Sequence, residues 1–168
     1  MSNIPKKVTD RFSKQLSFFQ KILRDAKDRD LNESNTVTIV TDMLADLFGY
    51  DKYIDVTSEQ AIRGTFCDLA IKVGGSIKFL IEVKAIGLSL KDNHLQQAVN
   101  YGANLGIPWI ILTNGINWEI YRLKFEKPVD KEKTCSIDIL QSNVRKNEDA
   151  ERLFLICKEG LANDAIGE

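Results

Sequence analysis

The sequence predicts an α/β protein with a mixed central β-sheet flanked by helices. Three observations carry that expectation. Apolar residues alternate with polar ones on both sides of a glycine turn within residues 65–84, helical-period stripes precede and follow that stretch, and residues 107–113 are a continuous apolar run. Alternation marks strands with one buried face, and an unbroken apolar run bounded by turn residues suits a strand covered on both.

In the N-terminal segment, Phe12, Leu16, Phe19, Leu23 and Ala26 recur at spacings of four and three, which predicts an amphipathic helix over 5–30. Its other faces carry Lys6, Lys7, Arg11, Lys14, Lys21, Arg24, Lys27 and Arg29 against Asp10, Asp25, Asp28 and Asp30. Residues 1–30 are read as a helical extension and 31–168 as the α/β domain on which it packs. A DNA-backbone contact or a homodimer helix is the sharper alternative. A second helix is expected from the cap Asn32 to Phe48, with Val37, Val40, Leu44, Leu47 and Phe48 inward and Gly49 just past its end. Tyr50, Asp51 and Lys52 read as a turn and residues 54–61 as a strand, with Asp55 and Glu59 as surface acids. Arg63 and Gly64 lead into the hairpin.

The hairpin carries Leu69, Ile71 and Val73 on one arm and Ile77, Phe79, Ile81 and Val83 on the other. Both sets reach the same side of the sheet only if Val73 faces Ile77, which leaves Gly74, Gly75 and Ser76 as a three-residue loop. That register sets Asp68 across from Glu82, and strand alternation puts Lys84 on the same face one pleat along. Opposed carboxylates repel unless a cation lies between them or one takes up a proton. Mg²⁺ is the expected cation, because hard cations bind one or two carboxylates and leave positions for water and a phosphate oxygen. A lysine alongside suits phosphodiester hydrolysis, where it orients the attacking water or stabilises charge on the phosphoryl oxygens.

Beyond Lys84 a loop over 85–90 precedes a helix over 92–105 closed by Gly106, with Leu95, Ala98, Val99, Gly102 and Leu105 packed. Gln97 and Tyr101 share one flank of it as an i, i+4 pair. His94, the one histidine, is expected to be an exposed helix residue. Asn114 and Gly115 mark a turn between the 107–113 strand and another over 118–123. Residues 124–133 are charged and read as a loop, 134–140 as an edge strand, and 147–161 as a last helix with Ala150, Leu153, Phe154, Cys157 and Leu161 inward.

The set Asp68, then Glu82-Val83-Lys84, then Gln97 with Tyr101 four residues on, resembles the signature of the PD-(D/E)xK nuclease superfamily. Within it, the likeness is to the N-terminal nuclease domain of type I restriction enzyme R subunits, over about residues 32–123. Cys67 stands where the name-giving proline precedes the aspartate. The resemblance implies a restriction-endonuclease-like core and a Mg²⁺-dependent deoxyribonuclease, with Mn²⁺ as a substitute metal. It makes Asp68 and Glu82 metal ligands with the carbonyl of Val83, Lys84 and Gln97 catalytic partners, and Glu33 the helix glutamate that recruits a second metal. On the residues alone, Glu33 equally suits an acid complementing the dipole of its helix.

Composition limits the partners. The net charge of −1 is not the basic balance of a protein that grips nucleic acid unaided, so affinity for DNA is expected to come with a motor or specificity subunit. No Gly-x-x-x-x-Gly-Lys-[Ser/Thr] loop occurs, which excludes a phosphate-binding ATPase loop in these residues. No apolar run reaches the roughly 18 residues of a membrane span. The charged start is no secretory signal, and a cytoplasmic protein is expected. Cys67, Cys135 and Cys157 are widely spaced and read as reduced, buried thiols. The alternative to a nuclease is a catalytically silent nuclease-fold module for binding or assembly.

Overall fold

Six apolar side chains on one stripe, Val8, Phe12, Leu16, Phe19, Leu23 and Ala26, are buried along the first helix, α1 (Lys6–Asp28), in a computed structural model of the chain. The structure describes residues 3–58, 67–162 and 166. The stripe merges with the sheet's own apolar face, so α1 is covered by the fold rather than left beside it. Helix α2 (Glu33–Asp46) begins at Asn32, whose Oδ1 accepts the Asn35 N–H at 2.8 Å and satisfies a donor the helix cannot. Gly49, at φ +84°, turns the chain out of it.

Among the described residues the sheet runs in chain order through β1 (Val56–Ser58), β2 (Leu69–Val73), β3 (Ser76–Val83), β4 (Trp109–Thr113), β5 (Asn117–Lys124) and β6 (Asp130–Asp138). Only β3 and β4 are parallel, and between them the chain crosses through a 3₁₀ turn (Asp92–Leu95) and α3 (Gln96–Leu105). The predicted mixed α/β sheet is the observed one. One face, with Leu69, Ile71, Phe79, Ile81, Val83, Ile111, Trp118 and Ile120, is buried with α1, α2 and α4 (Asn147–Ile156). The other, with Ala70, Leu80, Ile110, Leu112 and Tyr121, is buried with Leu95, Ala98 and Val99 around α3.

Several expectations are corrected. The hairpin closes on two residues, Gly74 and Gly75, both at positive φ, with Val73 facing Ser76 rather than Ile77. A shift in register between Ile71 and Lys72 then restores the expected pairing, so Leu69 faces Ile81. The charged stretch expected as a loop enters β6 at Asp130. Ion pairs Lys124 to Glu132 (3.2 Å) and Lys133 to Glu119 (3.3 Å) support this first half of the strand, which no apolar alternation announces, while the second half is the edge strand expected from residue 134.

The expected strand over 54–61 is described only as β1, with Ile54 exposed in the turn before it; Glu59, Arg63 and Gly64 lie outside the described residues. Asp55 is buried rather than superficial, held by the Lys158 ammonium at 2.6 Å and by the Asp51 N–H at 2.8 Å. Leu105 is exposed at the end of α3. The last helix breaks at Cys157 into α4 and α5 (Lys158–Ala162), and the Cβ of any side chain at Gly160 would collide with the Phe154 carbonyl. Cys157 is buried as expected, whereas Cys135 on β6 is half-buried. Among the described residues no helix is long and apolar enough to cross a membrane.

Candidate active site

The ladder between β2 and β3 pairs Leu69 with Ile81, and one step further along the strands Asp68 comes opposite Glu82. The two differences at the turn, a shorter loop and a shifted register, cancel before they reach the acids. Asp68 accepts the Val83 N–H on Oδ2 at 2.8 Å, which fixes its carboxylate against the end of β3. Glu82 pairs laterally with Leu112 of β4 and is 5% exposed. Its Oε1 lies 3.5 Å from the Lys84 Nζ, while its Oε2 is buried and has no hydrogen-bond partner among the described residues.

As a carboxylate oxygen, this Oε2 has lost water without gaining a donor among the described residues. Burial first, and then the negative charge of Asp68, push the Glu82 carboxyl up to about 8, with Lys84 pulling the other way. In solvent of neutral pH this acid therefore keeps a proton that a cation would displace. The donor set fits a hard divalent cation: two carboxylates, one with an unsatisfied buried oxygen, facing each other where β2 begins and β3 ends. Among the described residues no group of three His, Cys, Asp or Glu side chains could hold a metal ion, so the acids stand as a pair.

The other candidates fall at different distances from this pair. Val83 turns its side chain into the opposite apolar face and offers its backbone to the site. Gln97 is exposed on α3 and Tyr101 half-buried against the cluster beneath that helix. Neither hydrogen-bonds Asp68, Glu82 or Lys84 among the described residues. Glu33 is exposed in the first turn of α2 and is not brought into the acid pair. His94, half-buried, accepts the Lys91 N–H on Nδ1 at 3.2 Å and caps the turn that leads into α3.

Three buried polar residues beside the site are not evident from the sequence. Thr36 of α2 donates Oγ1–H to the Asn32 carbonyl at 2.8 Å and accepts the Ile86 N–H at 3.2 Å. The Thr113 carbonyl accepts the Lys84 N–H at 2.9 Å. Asn114 accepts the Ile116 and Asn117 N–H groups on Oδ1 and donates Nδ2–H to the Leu88 carbonyl at 2.9 Å. An Asn-Gly pair signals a turn, which uses only the Asn114 oxygen, and a β-branched threonine in a helix signals nothing but weak propensity.

A mixed sheet that ends in two opposed acids and a lysine, with one acid oxygen unsatisfied, defines an α/β protein with a cation-compatible acidic site at a strand terminus. A family model described as the type I restriction enzyme R protein N terminus (HSDR_N) matches residues 40–137, and the chain belongs to that family. The match spans the hairpin, α3 and the sheet through β6, and so contains Asp68, Glu82, Lys84 and Gln97. Comparisons with curated proteins and with solved structures gave no match.

Proposed function

We propose that this chain is a metal-dependent deoxyribonuclease of the PD-(D/E)xK type that hydrolyses DNA phosphodiester bonds. The observation that carries the reading is the Glu82 carboxylate, buried against Asp68 with one oxygen unsatisfied and Lys84 3.5 Å from the other. Asp68 and Glu82 would hold Mg²⁺ or Mn²⁺, with the Val83 carbonyl as a further oxygen. The chemistry such a cation would supply there is polarisation of the phosphoryl oxygen and neutralisation of charge that develops on it.

Lys84 then has two tasks within reach of one ammonium: to hold the attacking water and to stabilise the phosphoryl oxygens. The water oxygen forms the new bond to phosphorus and releases a proton to solvent, the ester P–O bond breaks, and the departing alkoxide takes a proton from solvent. Gln97, on the helix above the same sheet face, contacts the scissile phosphate. With a net charge of −1 the domain works beside a partner that supplies DNA affinity, a motor or specificity subunit of a cytoplasmic restriction system.

The test is cleavage of plasmid and single-stranded DNA with Mg²⁺ and then Mn²⁺ by the native protein, Asp68→Ala and Lys84→Ala. Metal-dependent cleavage lost in both variants supports the assignment, and cleavage that survives Lys84→Ala overturns it. The net negative charge favours one second reading, a silent module that keeps the fold for assembly. A silent site that has lost its cation shows no metal-linked rise in melting temperature, whereas a nuclease site does.

A further inference from the structure

We propose that Asn114, together with Thr36, is a positioning residue for Lys84. The inference rests on the nuclease reading for its catalytic consequence and on geometry alone for the rest. After β3 the chain makes a short arch over residues 84–88, and three residues tie it down. Its first N–H, that of Lys84, is held by the Thr113 carbonyl at 2.9 Å, and its last carbonyl, that of Leu88, by the Asn114 side chain at 2.9 Å.

Two consecutive residues at the end of β4 thus grip both ends of the arch, while Thr36 of α2 holds its middle through the Ile86 N–H. Inside the arch, Leu88 N–H closes on the Ala85 carbonyl at 2.9 Å. Gly87 passes so close to Asp30 that a Cβ there would lie 2.7 Å from its Oδ1. Asn114 is 4% exposed and Thr36 0%, so neither side chain has water as an alternative partner.

The lysine side chain springs from the first residue of this arch, and its ammonium reaches Glu82 from there. A backbone free to rotate after Val83 would let that ammonium leave the acid for solvent, because a long flexible side chain gains entropy by doing so. Misplacement of a catalytic group by about 1 Å costs up to roughly a hundredfold in rate.

Asn114→Asp separates this role from the turn, since it keeps an acceptor for the Ile116 and Asn117 amides and removes the donor to Leu88. Thr36→Val removes the middle tie without changing shape. The readouts are the ¹³C-methyl resonance of reductively methylated Lys84, assigned with Lys84→Arg, then kcat and KM for Mn²⁺-dependent cleavage, and the Mn²⁺-linked melting shift. We expect both variants to move the Lys84 resonance toward that of the exposed lysines. We expect kcat to fall roughly ten- to a hundredfold with KM little changed, and the Mn²⁺ shift to persist because Asp68 and Glu82 are untouched.

An unmoved Lys84 resonance, or an unmoved kcat in an active enzyme, overturns the proposal. Absence of cleavage and of a Mn²⁺ shift in the native protein instead sinks the nuclease reading, while the Lys84 resonance still decides whether the arch positions the amine. If Asn114→Asp does not melt cooperatively, Thr36→Val is read by the same criteria.

Discussion

Glu82 is an acid whose ordinary pKa of 4.5 rises to about 8 on folding, by burial and by the charge of Asp68. Between those values the folded chain holds a proton that the unfolded chain has released. Stability therefore falls as pH rises through that window and is greatest at its acidic end. We expect the melting temperature of metal-free protein to decline between about pH 5 and pH 8, and Glu82→Gln to flatten that slope. Addition of Mg²⁺ at pH 8 should restore the native protein and leave the glutamine variant unchanged. A second expectation concerns Lys84, which lies beside the acids without being one of them: Lys84→Ala should lose about a hundredfold or more in cleavage rate. The metal-linked rise in melting temperature should survive it, and a variant that lost both would make Lys84 a structural residue.

Local signals at the scale of the element were enough to place most of the helices. Asn32 was identifiable as a cap because a short polar side chain before an apolar stripe has one obvious use, and its Oδ1 takes up that use at 2.8 Å. Asn32→Ala should cost about 1 kcal/mol, readable by chemical denaturation. The α1 stripe was equally legible, since the stripe expected from spacing holds five of the six inward residues, all but Val8, and leaves the helix one way to dock. Phe12, wholly buried in that stripe, should cost about 3–5 kcal/mol when cut to alanine. The hairpin turn and the first half of β6 depart from expectation for a common reason. A two-residue glycine turn with a compensating bulge and a polar edge strand both depend on partners across the sheet, and no window of sequence contains those partners.

Across the whole molecule, α1, α2 and α5 are joined by one guanidinium. Arg11 donates to both Glu159 carboxylate oxygens, at 2.8 and 2.9 Å, and through Nε to the Leu47 carbonyl at 3.0 Å. Burial works against the Glu159 carboxylate, yet Arg11 holds it below the usual range. Arg11→Ala should destabilise by about 1–3 kcal/mol, as expected for hydrogen bonds to charged groups, and a double-mutant cycle with Glu159→Gln should show that the loss is shared.

Asp68, Glu82 and Lys84 could be placed together before any fold was known, because a strand's period of two and the demand for a common buried face leave one register. That argument reaches only as far as the hairpin. Whether Gln97 and Glu33 approach the acids, whether Glu82 loses its water, and what braces residues 84–88 depend on how α2, α3 and the β4–β5 turn close over the strand ends. Thr36 and Asn114 are separated from Ile86 and Leu88, the residues they hold, by many positions in sequence and meet them only because apolar burial brings three elements to one place. The pairing pattern is local chemistry, whereas the burial that raises the Glu82 pKa and the ties on the arch are products of packing.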